Sequence, residues 1–99
     1  MSTYLVTYHG AGSPDPSEME SAKAAFGAWL AQAGAAVTDP GAPLRSVGQI
    51  ATGSPEPLAA IAGYSLLETG SLDELQALLA DHPFVTRGGT LQINEVMTP

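Results

Sequence analysis

The alternation of apolar and polar positions predicts four short strands and two amphipathic helices. Branched and aromatic residues are concentrated in 4–9, 35–39, 61–68 and 90–97, which is typical of strands. Two intervening stretches instead carry apolar residues three and four positions apart, the spacing of one helical face. These residues are Met19, Ala22, Phe26, Trp29, Leu30 and Ala33 in the first helix, and Leu72, Leu75, Leu78 and Leu79 in the second.

Polar residues indicate where each helix begins. Ser17 precedes Glu20 by three residues, and Ser71 precedes Glu74 by the same spacing. This is the pattern of a capping box, in which a hydroxyl and a carboxylate satisfy free N–H groups at the helix start. We therefore expect Ser17 and Ser71 to be the N-cap residues.

Glycine and proline indicate where the helices end. Gly34 predicts a glycine cap after the first helix. Pro83 disfavours helical backbone at His82, so the second helix is expected to end there. The Pro- and Gly-rich segment 40–60 is long for a connection in a compact domain, and such segments are usually functional or partly structured. Within it, 44–50 is a candidate irregular edge strand or β-arm.

The order strand, helix, strand, strand, helix, strand predicts a ferredoxin-like α+β fold. In this fold the sheet is antiparallel and both helices lie on one face. We expect one such domain across residues 1–99. The first strand nevertheless has apolar residues on both sides, with Tyr4, Val6 and Tyr8 on one and Leu5 on the other. Because a large exposed apolar face is unfavourable, we expect a homodimer through the sheet face.

The charge of the chain excludes several classes of partner. Its 99 residues include 3 Lys+Arg and 10 Asp+Glu, a formal net charge of −7. Lys23, Arg45 and Arg87 are scattered, so no basic stripe can neutralise phosphates, and we expect neither nucleic-acid nor membrane binding. The most apolar run, 24–37, is too short to span a bilayer.

The absence of cysteine removes disulfides, thiolate metal ligands and cysteine nucleophiles. Such a composition fits a reducing compartment. The opening stretch MSTYLVTYHG lacks the basic flank and long apolar run of a signal peptide. We therefore expect a soluble, cytoplasmic protein.

Polar residues are expected to converge at one end of the sheet. In a ferredoxin-like arrangement that end collects His9 from the first strand, Asp39 from the second, and the segment 40–60. Asp81 and His82 reach it from the end of the second helix. Both histidines of the chain would then lie beneath its longest loop, which makes this end a candidate small-molecule site.

His82, His9 and Asp81 are the candidate catalytic residues. Histidine is the side chain best matched to proton transfer near neutral pH, and a carboxylate would orient it. Asp81 and His82 are adjacent, so their side chains diverge on a helix and do not form a dyad with each other. Alternatively, His82 complements the helix dipole or tucks into the core edge, and His9 bonds to nearby backbone.

Asp39, Tyr64 and Arg45 are the candidate ligand-binding residues. Alternatively, Asp39 forms a turn before Pro40, Tyr64 is a core ring with a satisfied hydroxyl, and Arg45, like Arg87, is a solvated charge. Two histidines far apart in sequence do not make a metal motif. No phosphate-binding glycine loop occurs either, so we expect no metal and no cofactor.

The chain contains four characteristic blocks: YLVTYHG, FGAWLAQAG, VTDPGAPL and GYSLLETGSLDELQALLADHPFVTRGGTLQINEV. Together they resemble the YCII-related family, which includes the DGPF-type proteins. The resemblance implies ferredoxin-like protomers that pair sheet to sheet as a dimeric α+β barrel. It also implies, for some members, a cleft with a histidine–aspartate pair, and the wider barrel superfamily includes isomerases, dehydrochlorinases and oxygenases that act on small, often ring-shaped, molecules. Asp81 matches that aspartate, but SEMESAKAAF has no histidine on the first helix, and TGSPEP stands near the place of the DGPF string.

Two functions follow from these observations. The first is a dimeric protein that binds a small organic molecule, with His82 or His9 as general acid or base in an isomerase- or lyase-like reaction. The second is a non-catalytic interaction or accessory module whose polar end is structural. A metal-dependent reaction is least favoured, because it needs both histidines within ligand distance of one ion.

Overall fold

The computed structural model describes residues 1–12 and 14–97 and contains a sheet of four antiparallel strands in the order β2-β3-β1-β4. The strands are β1 (Ser2–Gly10), β2 (Val37–Pro43), β3 (Gly63–Thr69) and β4 (Gly89–Glu95). The helices are α1 (Met19–Ala33), α2 (Leu72–Leu79) and α3 (Pro83–Thr86), with short 3-10 turns at Pro16–Glu18 and Gly34–Ala36. The predicted ferredoxin-like α+β fold is confirmed, and α3 is an addition to it.

The core lies between the sheet and the long helices. Tyr4 and Val6 of β1 and Leu67 of β3 face the helices, which contribute Trp29 from α1 and Leu75 from α2. Alternate residues of a strand point to opposite faces, so the predicted direction of the β1 side chains is confirmed. The indole N–H of Trp29 also donates to the carbonyl oxygen of Leu78 at 3.1 Å, which ties α1 to α2.

The predicted N-cap of the first helix is wrong by two residues. Asp15, and not Ser17, caps the 3-10 turn that leads into α1, accepting the N–H groups of Ser17 and Glu18. The Glu18 carboxylate completes the capping box by accepting from the Asp15 N–H. The bonds from Ser17 and Glu18 hold the pKa of Asp15 below its usual value. Pro16 favours this start, because the first helical position needs no N–H donor.

The second helix begins as predicted but ends earlier. Ser71 accepts the N–H of Glu74 at 3.1 Å, as expected of an N-cap. The Glu74 carboxylate accepts from Gly70 instead of Ser71. The helix ends at Leu79, so the predicted end at His82 is wrong. His82 begins α3 as its N-cap, because Pro83 suits the first position of a new helix.

The second strand begins two residues and ends four residues later than predicted, and the third begins two residues and ends one residue later. β2 extends through Pro40 and Pro43, which an edge strand tolerates. The segment 44–50 forms no strand, which corrects the edge-strand expectation. We call 44–62 the arm; its base is closed by the Leu44 N–H, which donates to the carbonyl oxygen of Ala62 at 2.9 Å.

The arm projects from the rest of the chain. Val47, Ile50 and Leu58 are exposed to 84%, 104% and 74% respectively. The radius of gyration is 14.7 Å, against about 13 Å for a compact chain of this length. These apolar side chains are therefore available to a partner.

The sheet face opposite the helices, which we call the outer face, mixes apolar and polar residues. On β1, β3 and β4 it consists of Thr3, Leu5, Thr7, His9, Tyr64, Leu66, Glu68, Thr90, Gln92 and Asn94. No helix within 1–12 or 14–97 is long and apolar enough to cross a membrane.

Candidate ligand-binding site

A cavity of about 400 Å³ opens between α1, α3 and the β2–β3 edge of the sheet. Its walls are mostly apolar and aromatic, with Phe26 from α1 and Phe84 from α3. Polar groups come from Tyr8, His82 and Arg87. We call this space the Tyr8–His82 cavity.

A series of four hydrogen bonds lines this cavity, and the donor and acceptor of each can be assigned. The Phe84 N–H donates to Nδ1 of His82 at 3.0 Å, so neutral His82 carries its proton on Nε2. That Nε2–H donates to the Tyr8 hydroxyl at 3.0 Å. The Tyr8 hydroxyl then donates to Ser65 Oγ at 2.7 Å, and Ser65 donates to the carbonyl oxygen of Pro40 at 2.9 Å. Four segments distant in sequence are thereby joined.

Burial keeps His82 and Tyr8, the two ionisable residues in this series of hydrogen bonds, neutral. His82 is 1% exposed. Desolvation, followed by the nearby positive charge of Arg87, lowers the pKa of His82 to about 4. Burial also raises the pKa of Tyr8, partly offset by its hydrogen bond with Ser65. Near neutral pH the site therefore presents an imidazole and a phenol without charge.

Aromatic packing fixes the His82 ring. Its centroid lies 4.4 Å from that of Trp29, 5.6 Å from Phe26 and 5.2 Å from Tyr8, the last edge to face. Edge-to-face and tilted contacts at these distances are favourable. The imidazole is thus held on several sides as well as at both nitrogens.

Arg87 supplies the charge at the cavity. Its Nε donates to the carbonyl oxygen of Gly12 at 2.9 Å, which fixes the side chain. Among the described residues that line the cavity, it is the one with a formal charge.

The structure does not bring His9 and His82 together. Tyr8 faces the helices, so the neighbouring His9 points to the outer face. There its Nδ1–H donates to the carbonyl oxygen of Ala60 at 2.9 Å, and Thr7 Oγ1 donates to its Nε2 at 2.7 Å. His9 fastens the end of the arm to β1.

The other predicted site residues are spread over different positions. Tyr64 borders the cavity from β3, but its position opposite Thr7 puts its side chain on the outer face. Asp39 accepts the Gly41 N–H at 2.8 Å and so forms a turn beside the cavity. Arg45 and Asp81 are exposed and lie outside the cavity wall. Asp81 and His82 diverge as expected, one exposed and the other buried.

Sequence reasoning missed three members of the site: Tyr8, Ser65 and Arg87. The sequence predicted only the side of the first strand on which Tyr8 lies, and Arg87 was interpreted as a solvated charge. The alternation in β1 does place Tyr8 on the helix side, but its partner Ser65 is 57 residues away. Only the pairing register of the strands reveals that contact.

The buried polar atoms of the site are all hydrogen-bonded. Within residues 1–12 and 14–97, every buried side-chain nitrogen and oxygen has a hydrogen-bond partner.

The same residues include no group of three His, Asp or Glu side chains placed to hold a metal ion.

Comparisons with known proteins establish the fold. No family model matches the chain, and no curated protein is significantly similar to it. Among solved structures, it is similar to the 5-chloro-2-hydroxyhydroquinone dehydrochlorinase of Burkholderia phenoliruptrix AC1100, in complex with 2,5-dihydroxybenzoquinone. The TM-score is 0.54 at 20% identity, over 91% of this chain and 90% of that one. At this identity the likeness shows the fold alone, a small α+β fold with a four-stranded antiparallel sheet.

Proposed function

We propose that this protein binds a small, ring-bearing organic molecule in the Tyr8–His82 cavity. The observation that carries the proposal is the convergence of Tyr8, His82 and Arg87 on an otherwise apolar cavity. Small-molecule sites have this composition, and about 400 Å³ lies at the small end of their usual range. The dehydrochlorinase of the same fold, bound to a benzoquinone, supports a ring-shaped ligand.

Within this proposal, Tyr8 contacts the ligand and His82 positions Tyr8. Both nitrogens of His82 are engaged, so it acts on a ligand through the Tyr8 hydroxyl. The series of hydrogen bonds from His82 through Tyr8 and Ser65 ends at the carbonyl oxygen of Pro40, a group that does not take up a proton near neutral pH. This geometry favours binding over proton relay. An isomerase- or lyase-like reaction with His82 as general base requires that the ligand displace one of its two hydrogen bonds.

A blocked cavity tests the proposal. Met19 lies on the rim and is 44% exposed, so Met19→Trp fills the opening with little effect on the core. We expect monocyclic aromatic and quinoid compounds to shift amide resonances of Phe84 and raise the melting temperature of the wild type. Met19→Trp should abolish both effects, whereas Ala24→Trp, exposed on the same helix and outside the cavity wall, should keep them. Binding that survives Met19→Trp, or no binding across the compounds, contradicts the proposal.

A second candidate is a non-catalytic interaction module. It is favoured by the hydrogen bonds of the buried polar atoms at the cavity, which are all satisfied among the described residues and suit a structural role. In that case Tyr8→Phe lowers stability, and no ring-bearing compound shifts the Phe84 amide.

We further propose that two copies associate through the outer face and the arm. Both long helices lie on the other side of the sheet, so Leu5 and Leu66 are left for a partner. The arm adds two further exposed apolar residues, Val47 and Ile50. A second copy covers both areas at once, as in a dimeric barrel.

A further inference from the structure

The position of Arg87 bears on the chemistry of the ligand. It follows α3 directly, and its Nε is fixed by the carbonyl oxygen of Gly12. Within residues 1–12 and 14–97, its terminal NH₂ groups have no hydrogen-bond partner. A guanidinium offers five N–H donors, of which the bond to Gly12 uses one.

The charged residues around the cavity favour a negatively charged ligand. The chain has a net charge of −7, with only 3 Lys+Arg. One of those three cations stands at the cavity, and the wall contains no Asp or Glu among its described residues. The charge of Arg87 also helps to lower the pKa of His82, which lies in the same cavity wall. An anion entering this protein meets favourable charge at this cavity.

We propose that the ligand is a small monocyclic anion whose charged oxygen, a carboxylate or phenolate, pairs with Arg87 while its ring packs between Phe26 and Phe84. This inference rests on the proposed function, because it names the ligand class of the same cavity. Arg87 forms charge-assisted, fork-shaped hydrogen bonds with the anion, which suit a planar carboxylate. The aromatic walls supply ring contacts.

Matched acids and amides test the inference. The probes are benzoate, salicylate and 4-hydroxybenzoate, each beside its neutral amide, titrated into ¹⁵N-labelled protein. We expect the acids to bind about tenfold or more tightly than the amides, as for a hydrogen bond to a charged group. Added salt should reduce this preference.

Variants assign the preference to Arg87. Arg87→Gln should remove the preference for acids while leaving amide binding, and Arg87→Lys should keep part of it. Arg45→Gln makes the same charge change on the exposed arm, outside the cavity wall, and should leave the preference intact.

Two results separate this inference from the proposed function. Equal binding of acids and amides by the wild type overturns the anion inference and leaves cavity binding standing. Absence of binding by both series overturns both. Because Arg87→Gln also removes the bond to Gly12, the wild-type ratio and Arg87→Lys decide the matter even if that variant does not fold.

Discussion

The hydroxyl of Tyr8 lies 3.0 Å from Nε2 of His82, although the two residues are 74 positions apart. Since Nδ1 of His82 accepts the Phe84 N–H, the imidazole donates and the phenol accepts. The contact joins β1 to the start of α3 and builds one wall of the cavity. It also sets what each residue is able to offer a ligand.

Removing the Tyr8 hydroxyl should destabilise the protein. Tyr8→Phe keeps the ring but leaves the buried Nε2–H of His82 without its acceptor. Leaving a buried donor unsatisfied costs about 1–3 kcal/mol, which urea unfolding can measure. Tyr64→Phe, the same change on the outer face, serves as control and should cost less. Equal losses of unfolding free energy in the two variants would contradict the structural role of the Tyr8–His82 hydrogen bond.

Acid should weaken the fold through His82. Its pKa falls from 6.5 to about 4 on folding, so below 6.5 the unfolded chain binds more protons than the native state. Stability from this group is therefore present above pH 6.5 and is lost as the pH falls toward about 4. The loss approaches about 3 kcal/mol, at 1.36 kcal/mol per pKa unit.

His82→Asn isolates this effect, because asparagine still caps α3 but does not titrate. Urea midpoints measured from about pH 7 to about pH 5 should decline more steeply for the wild type than for His82→Asn. If the urea midpoints of both proteins declined in parallel, the loss of stability in acid would come from the carboxylates and not from His82.

Gly41 should be intolerant of a side chain. Its φ of 76° disfavours other residues, and an added Cβ would overlap the carbonyl oxygen of Tyr64. Gly53 has a φ of 82° with open space around it. We expect Gly53→Ala to cost about 1 kcal/mol from backbone strain alone. Gly41→Ala should cost roughly 1–3 kcal/mol more, because β2 must shift away from β3. Similar thermal shifts in both variants would argue against this close strand contact.

The proposed dimer predicts a specific effect at the tip of the arm. Ile50 is fully exposed in the protomer, so Ile50→Asp leaves the monomer fold intact. Loss of a buried isoleucine costs about 1.5–3 kcal/mol, so the dissociation constant should rise at least about tenfold. Sedimentation velocity would detect this, with the adjacent exposed Gln49→Asp as the charge-matched control. A wild type that is monomeric at all concentrations rules out the dimer, and an unchanged Ile50→Asp dimer rules out the arm contact.

The order of elements and the core were predictable from the sequence because they depend on local periodicity. Leu75 and Leu79 recur at helical spacing, and Tyr4 and Val6 alternate on β1. The N-cap was placed two residues late because serine and aspartate are both good caps, and Pro16 was not used to choose between them.

The site was less predictable because it depends on contacts between distant residues. The helix that His82 caps has only 4 residues, too few for an apolar period to appear. The separation of His9 from His82 follows from the alternation of β1, but the carbonyl of Ala60 that binds His9 lies at the end of an irregular segment. Such contacts follow from the tertiary fold and leave no short motif.

Trp29 is the single tryptophan of the chain, and its ring stands 4.4 Å from His82 and 6.1 Å from Phe26, both in the cavity wall. The protein therefore carries its own optical probe at the place where a ligand is expected. Tryptophan emission should respond to occupancy of the cavity and, in acid, to the charge that appears on His82. Both events can then be followed by fluorescence in the unlabelled, unaltered protein.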